Sequence, residues 1–577
     1  MVKLSVLALD YDGTVTRNDT LDPTVRDAIA AIRATGITVL LVTGRILSEL
    51  RRVAGELHFV DGIVAENGAV VHFPATGHTN RLMPAIPPAF LDELRLQGIP
   101  HQAGECLVDA SAADAPRLLD AIRRLELPLV LLFNKGRVMI LGQGVSKATG
   151  LHALLDMLRL SSHNMVAIGD AENDHELLRL AEVGAAVEWG SQALRAAADV
   201  VVSGSDPSAV AAYIRDLARA GQLPVPRHDR RRLRLGHTED GREFSLSARG
   251  RNVLIAGDAK SGKSWVAGLL CEQLIVHGYC VCVIDPEGDY GSLEGLPGVS
   301  VLGGADPPPT PREVARALRY PDRSVVIDLS QRPQDEKIEY IRAVLPAINE
   351  IRRRTGLPHR VVVDEAHYFL HDADTPSLVD LDRNGYTFVT YWASRLPAAV
   401  LAATEVMIVT RETSAAEIEA LRQRCLTCGV SRERWSVLSH LATSQAVALP
   451  ITEEAGGDLV LFTLGPRMTP HVRHREKYVD VPVTEGRAFV FTKPGAGPGR
   501  RAKTLRQFIA ELERRSPDGV DHVRRGDFSR WIHDVFGDFA LAAELKAIEQ
   551  APGAATDADT LPRMVNAIRA RYDVTED

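Results

Sequence analysis

The chain has 577 residues, too many for one hydrophobic core, so three or more domains are expected. Hydrophobic residues make up 45% and charged residues 25%, a globular composition. The formal charge of −8 argues against a large electropositive face and leaves room only for a local basic channel.

Six cysteines are low usage for this length and point to a reducing compartment. Cys425 and Cys428 have C-x-x-C spacing, but no second pair follows at zinc-site distance, so packed thiols are expected. Cys280 and Cys282 alternate within an apolar run and read as strand residues. The apolar opening is interrupted by Asp10, too early for a signal peptide, and no apolar run is long enough to span a bilayer. The expectation is a soluble, cytoplasmic α/β protein with no membrane partner.

Residues 6–9 form a buried-type strand that runs into Asp10-Tyr11-Asp12-Gly13-Thr14. Ligands of open α/β sheets bind at such strand ends. Two carboxylates two positions apart on extended chain project to the same side, so one can attack phosphorus while the other handles a proton. A second buried strand, residues 37–42, ends in Thr43-Gly44-Arg45, where a hydroxyl can bind a phosphoryl oxygen. Lys147 follows Gly144-Val145-Ser146 at a helix start and can neutralise phosphate charge. A third strand, residues 165–168, ends in Gly169-Asp170-Ala171-Glu172-Asn173-Asp174, whose hard oxygens suit Mg²⁺.

This ordered set resembles the haloacid dehalogenase superfamily of phosphatases over roughly the first 210 residues. Glu66-Asn67-Gly68-Ala69 and the Asp170 cluster point to the branch holding Cof-type sugar phosphatases, sucrose phosphatase and archaeal phosphoglycolate phosphatase. The resemblance implies a Rossmann-like fold in which Asp10 is the nucleophile, forming an aspartyl-phosphate, and Asp12 the general acid/base. It implies Mg²⁺ held by Asp10, the backbone carbonyl of Asp12 and Asp170, with Asn173 and Asp174 beside them. Thr43 and Lys147 become phosphate and intermediate stabilisers. Residues 82–141, with a helix-like run at 114–125 and strand-like pieces at 129–133 and 137–141, resemble a small α+β cap. A cap favours a small phosphorylated metabolite over a nucleic-acid end.

Residues 221–226 are a linker by composition, and the Arg-rich residues 227–234 read as a solvated interdomain segment rather than a nucleic-acid contact. Residues 232–246 read as a β-hairpin turning at Glu239-Asp240-Gly241. Gly257-Asp258-Ala259-Lys260-Ser261-Gly262-Lys263-Ser264 then matches the Walker A P-loop, with an apolar strand before it and a helix after it. Its backbone N–H groups can cradle the phosphates of ATP, Lys263 can reach the β/γ-phosphates, and Ser264 can ligate Mg²⁺. Residues 280–284 form a strand ending in Asp285-Pro286-Glu287-Gly288-Asp289-Tyr290, and residues 360–363 another ending in Asp364-Glu365-Ala366-His367. Asp364 reads as Walker B, holding Mg²⁺ through water, and Glu365 as the group that polarises the attacking water.

A strand between the Walker A and Walker B strands, and Glu365 directly after Asp364, are the pattern of additional-strand P-loop ATPases. With D-P-x-G-x-Y and the preceding hairpin, residues 232–450 resemble the HerA/FtsK group of DNA-translocating ATPases. That group carries a sensor strand ending in Gln; here Ser394-Arg395 occupies the place. The resemblance implies a homo-oligomer with ATP between subunits and an arginine donated in trans. No arginine is expected beside the P-loop in cis, and Arg395, Arg411, Arg422 and Arg424 are the trans candidates.

Beyond a basic stretch at 472–478, a strand-like run at 487–491 and a Gly/Pro loop at 495–499, the tail reads as mostly helical. Phe528, Trp531, Ile532, Val535 and Phe536 form an apolar stripe read as core, and His471, His474 and His522 form no ligand spacing. The expected organisation is a phosphatase domain at 1–221, an ATPase domain at 232–485 and a helical accessory domain at 486–577. The leading expectation is a Mg²⁺-dependent phosphatase of a small phosphorylated metabolite joined to an ATPase. Nucleic-acid end processing, with nucleic acid as partner, and a nucleotide-gated regulatory or assembly protein are the alternatives.

Overall fold

The computed structural model describes residues 2–17, 19–134, 136–227, 229–370, 375–425, 429–469, 483, 488–491, 499–514, 517–536, 539–553 and 559–572. Cys428, the basic stretch at 472–478, His471, His474, Arg487 and residues 495–498 lie outside the described residues. No helix among the described residues is long and apolar enough to cross a membrane.

The first sheet has eight strands, in the order Val200–Val202, Val183–Val187, Met165–Gly169, Val6–Asp10, Thr38–Val42, Gly62–Ala65, Val70–Phe73 and His78–Arg81. The first six run parallel; Val70–Phe73 pairs antiparallel with Gly62–Ala65, and His78–Arg81 antiparallel with Val70–Phe73. Val6–Asp10 and Met165–Gly169 are buried along their whole length, which is why both read as unbroken apolar runs rather than alternating ones. Helix Pro23–Ala34, opened by a proline and capped by Asp22, packs Val25, Ala28, Ile29 and Ile32 against Pro207–Ala220. A separate antiparallel sheet, Leu129–Asn134, Arg137–Gly142, Val108–Ser111 and His101–Ala103, carries helices Pro88–Leu96 and Ala115–Arg124 on one face. Its other face lays Met139, Leu141 and Leu107 over Ile46, next to the Thr43 strand end.

The second large sheet has eleven strands. Seven are parallel: Val406–Val409, Val253–Ala256, Tyr386–Thr390, Arg360–Val363, Val281–Asp285, Ser324–Asp328 and Val299–Gly303. The strand inserted between the Walker A and Walker B strands is Tyr386–Thr390, and Val281–Asp285 lies on the far side of Walker B. The hairpin Arg232–Thr238 and Glu243–Ser247 is the antiparallel edge of this same sheet, joined through Val460–Leu464 and Gln445–Ala448.

The tail is a strand pair, Phe489–Phe491 and Arg500–Ala502, with helices from Leu505–Glu513 to Thr560–Tyr572. Phe528, Trp531, Ile532 and Phe536 are buried together in its core, so the aromatic stripe is packing.

The two large sheets meet at the N-terminal ends of their strands. Lys3 Nζ donates to the Arg353 carbonyl at 2.8 Å, and Ser5 Oγ to that of Thr355 at 3.1 Å. His163, just before Met165–Gly169, stacks on Tyr279 with ring centres 3.7 Å apart and sits edge-on to His359. The Arg-rich segment is part of this joint rather than solvated. Arg230 pairs with Asp199, and Arg231 reaches Glu182 at 3.2 Å and the carbonyls of Arg179, Leu180 and Ala181. These are helix-end and loop carbonyls that lack helical partners, which is what draws the guanidinium groups in.

Candidate functional site

Asp10, Asp170 and Asp174 converge at the C-terminal end of the first sheet, each buried and with carboxylate oxygens within 4.8 Å of one another. Asp10 ends the central strand, and Asp170 follows its neighbour Met165–Gly169. Asp174 arrives on the 3-10 turn Glu172–Asp174, its carboxylate accepting the N–H of Asp170 and Ala171 at 3.1 Å each. Lys147, first residue of helix Lys147–Leu158, donates to Asp10 at 2.5 Å and to Asp174 at 2.7 Å. Burial raises Asp10 well above the ordinary carboxylate range, the charges of Asp174 and Asp170 add to this, and Lys147 opposes it. Burial opposes the Lys147 charge, but Asp10 and Asp174 outweigh it and hold the ammonium above its usual range.

Local backbone explains how these groups come so close. Gly13 has φ of +81°, and a Cβ there would stand 2.3 Å from an Asp170 oxygen. Gly13→Ala is therefore expected to displace Asp170 and lower phosphatase turnover at least a hundredfold, roughly 2.7 kcal/mol in barrier. A steady-state assay beside a melting curve checks it, and a folded variant at wild-type turnover would show that this contact does not matter. Gly68 approaches the Ser146 carbonyl so closely that its Cβ would lie 2.0 Å away, so the Glu66-Asn67-Gly68 turn braces the helix start that carries Lys147. Glu66, fully buried, accepts the N–H of Glu105 and Cys106 at 2.9 and 2.8 Å and ties the cap to the main sheet.

Thr43 lies one residue past Val42, the register partner of Asp10, and is wholly buried with its hydroxyl oxygen accepting the Arg45 N–H at 3.1 Å. The Asp12 carboxylate stands outside the buried trio. Arg45 grips it through Nε at 2.8 Å and Nη2 at 2.6 Å while also reaching Asp19 and Glu49. Asn173 is half-buried on the turn that carries Asp174.

At the second site, the P-loop bends through φ of +144° at Gly257, +62° at Lys260 and +107° at Gly262, and delivers Lys263 at the start of helix Lys263–Val276. Lys263 Nζ donates to the Asp258 carbonyl at 2.7 Å. Ser261 bonds Thr410 Oγ1 at 2.5 Å, and Asp258 accepts from Thr413. Ala259 and Lys260 form the outer part of the loop, with the Lys260 ammonium 3.5 Å from the hydroxyl of Tyr572 on the last helix. Ser264 donates to Asp289 at 2.8 Å. Asp364 is buried and raised well above the ordinary carboxylate range, by burial first and then by Glu365, Asp289 and Asp285. Glu365 sits in the left-handed region at φ of +50°, with Oε2 3.6 Å from His367 Nδ1.

Two sequence expectations change here. Arg411 does lie beside the P-loop in cis: its carbonyl accepts the Asp258 N–H at 2.8 Å and its Nε stands 3.9 Å from the Asp258 carboxylate. The strand next to Walker A ends at Val409, so the chain turns directly over the loop. Arg422 is paired with Glu419, and Arg424 donates to the Leu401 carbonyl. Ser394 is held by Glu417 and Arg395 lies on the Trp392 ring, because the strand ends at Thr390. Tyr391, one residue past the strand end, places its ring centre 5.9 Å from Lys263 Nζ. Asp289 was not singled out from sequence; the D-P-x-G-x-Y run held the signal, but its partner Ser264 is distant in the chain.

A buried carboxylate trio on a capped Rossmann-like sheet, joined to a P-loop on an additional-strand sheet, defines a two-centre α/β hydrolase. Residues 7–94 and 100–214 match the family model of haloacid dehalogenase-like hydrolases, and residues 247–354 match the central domain of the helicase HerA. The chain belongs to the haloacid dehalogenase-like hydrolases and carries a HerA-type ATPase domain, which makes it a phosphoric monoester hydrolase in class. It is 32% identical over 210 residues to a phosphoglycolate phosphatase of Natronomonas pharaonis, covering 34% of this chain and 91% of the relative. It is 33% identical over 223 residues to one of Halorubrum lacusprofundi, covering 37% and 96%. A solved haloacid dehalogenase-like hydrolase from Bacteroides thetaiotaomicron is 19% identical, covers 37% of this chain and 100% of its own, and superposes with a TM-score of 0.34.

Proposed function

We propose that the chain is a Mg²⁺-dependent phosphatase of a small phosphorylated metabolite, of the phosphoglycolate or sugar-phosphate kind, carrying an ATP-hydrolysing unit. The division proposed is 1–221 for the phosphatase with its cap at about 82–141, 232–485 for the ATPase and 486–577 for the accessory unit. The observation that carries the phosphatase reading is Lys147 bridging Asp10 and Asp174 beside Asp170, beneath the cap. Three buried carboxylates against one ammonium leave excess negative charge, and every donor is a hard oxygen, so the site fits Mg²⁺. Bound there, Mg²⁺ would neutralise charge on the phosphoryl oxygens. Asp10 attacks phosphorus and becomes the aspartyl-phosphate. Asp12, released from Arg45 and having taken a proton from solvent, gives that proton to the leaving oxygen and then takes one from the water that hydrolyses the intermediate. Thr43 and Lys147 hold phosphoryl oxygens as charge builds. The apolar roof of Ile46, Met139 and Leu141 excludes water and limits substrate size.

The experiment is phosphate release from a panel of phosphorylated carboxylic acids and sugars, with Mg²⁺ and with a chelator. Chelation is expected to remove at least 99% of turnover, a fall of roughly 2.7 kcal/mol or more in transition-state stabilisation. Turnover that survives chelation, or activity only on nucleic-acid 3′-phosphates, overturns the reading.

For the ATPase unit, Lys263 would hold the β/γ-phosphates, Ser264 and Asp364 the Mg²⁺ with Asp289 beside them, and Glu365 the attacking water. The HerA-like pattern makes a homo-oligomer the expected working state. ATPase rate per chain should then rise with protein concentration, in step with assembly seen by analytical ultracentrifugation. A monomer with a concentration-independent rate would instead assign the γ-phosphate arginine to Arg411 in cis. The Lys260–Tyr572 contact favours a nucleotide-gated unit over a translocating motor, because it sets the last helix on the P-loop. DNA that fails to stimulate ATP turnover would agree with that second reading.

A further inference from the structure

The joint between the two large sheets encloses a cavity of about 40 Å³. On that measure one water needs ~10–15 Å³, so the space holds roughly three waters or one small tetrahedral ion. Lys3 from the phosphatase side and Arg352, Arg360 and Arg383 from the ATPase side line it, against one carboxylate, Glu182. Glu182 is already occupied by His163 at 2.9 Å, Arg231 at 3.2 Å and the Tyr279 hydroxyl at 3.1 Å. The remaining wall is cationic without a matching anion.

Arg352 is the pointed observation. It is 5% exposed. Its Nε donates to the Pro358 carbonyl at 3.1 Å and its Nη2 to that of Asn384 at 2.7 Å. Its Nη1 is buried with no hydrogen-bond partner. A buried guanidinium donor left unmatched costs stability, and charged groups cost more than neutral ones. Arg360, 2% exposed, spends Nη1 on backbone carbonyls of Arg251 and Tyr386. The titration directions agree with a surplus of positive charge. Burial and then Arg352 pull Arg360 down to about 10, burial and then Arg383 lower Lys3, and burial, His163 and Arg352 keep His359 neutral at ordinary pH. Arg383 has Asp380 at 3.5 Å, but Asp380 is shared with Arg353 at 2.9 Å.

We propose that this joint is a binding site for a small tetrahedral oxyanion of the phosphate or sulfate kind, held by Arg352 and Arg360 inside and by Lys3 and Arg383 at the mouth. The ion clamps the N-terminal strand ends of the two sheets to each other. A guanidinium suits the geometry of such an ion, and a water-poor cavity strengthens each charge-assisted bond. The site is independent of both active centres and of the reactions assigned to them.

Two experiments on the full chain test it. In the first, crystals are soaked in sodium selenate, a tetrahedral dianion located by its anomalous signal. Density beside the Arg352 guanidinium is expected; density at the P-loop or the carboxylate trio with none in the joint overturns the proposal. In the second, inorganic phosphate and, in a separate arm, sulfate are titrated against thermal unfolding, with potassium chloride at matched ionic strength. Phosphate also meets both active sites, so the readout is the difference between wild type and the Lys3→Ala, Arg383→Ala double variant. These side chains stand half-exposed at the mouth, where truncation is tolerated. The anion concentration for half-maximal stabilisation is expected to rise at least fivefold, with phosphatase turnover unchanged. An unchanged concentration in both arms, or equal stabilisation by chloride, sinks the site. A response to one oxyanion and not the other identifies which is the natural occupant.

Discussion

Asp10→Asn is expected to remove phosphatase turnover by at least a thousandfold, roughly 4 kcal/mol, while leaving ATP hydrolysis within twofold of wild type. The amide keeps the shape of the carboxylate but is not a nucleophile towards phosphorus, and no neighbour replaces it. Asp170 and Asp174 are close enough to share a cation, but Asp174 is already bonded to Lys147 and to two backbone N–H groups. The substitution also removes one of the two carboxylates paired with Lys147, so the fold loses an ion pair but not a core side chain. Phosphate release and ATPase rates measured on the same preparation decide it. Residual Mg²⁺-dependent turnover within about tenfold of wild type, only ~1.4 kcal/mol of barrier, removes Asp10 from the nucleophile role.

Lys263→Ala and Glu365→Gln are expected to separate binding from hydrolysis at the second centre. On the proposed reading Lys263 would carry the charge that faces the β/γ-phosphates, so its loss should weaken ATP binding at least tenfold and stop turnover. Glu365→Gln keeps the volume and the neighbouring Asp364, and removes only the charge that, on the proposed reading, would polarise water. Binding of a fluorescent ATP analogue should stay within threefold, and turnover should fall at least a hundredfold, about 2.7 kcal/mol. Wild-type turnover in Glu365→Gln would falsify the Walker B assignment. A chain that binds no ATP in either form would remove the ATPase reading altogether.

What sequence alone discloses here follows how local each feature is. Asp10, Lys147, Asp170 and the P-loop sit in short runs whose residue types and strand or helix context are contiguous, so the carboxylate cluster and the strand–loop–helix turn at the P-loop were legible. The cap was legible in part: helix Ala115–Arg124 and strands Leu129–Asn134 and Arg137–Gly142 fall within a residue or two of where periodicity placed them, whereas helix Pro88–Leu96 and strands His101–Ala103 and Val108–Ser111 were not picked out. What stayed hidden depends on pairs far apart in the chain. Arg45 grips Asp12 across 33 positions, and Ser264 meets Asp289 across 25. Arg411 reaches the P-loop only because Val406–Val409 pairs with Val253–Ala256, and strand order is not written in either segment. The sensor position shifted because Tyr386–Thr390 ends four residues before Ser394, where Trp392 begins a turn rather than more strand. The Arg-rich junction looked solvated because its partners, the carbonyls of residues 179–181, carry no side-chain signature.

Asn164 and His359, which meet at 3.2 Å across the joint, immediately precede Met165–Gly169 and Arg360–Val363. Each strand therefore starts at the shared seam and carries its carboxylates at the end remote from it, about 15 Å away at roughly 3.3 Å per residue. The seam is thus common to both halves while neither set of carboxylates lies in it. What the fusion enforces is a ratio: one carboxylate trio for every P-loop, on a single chain.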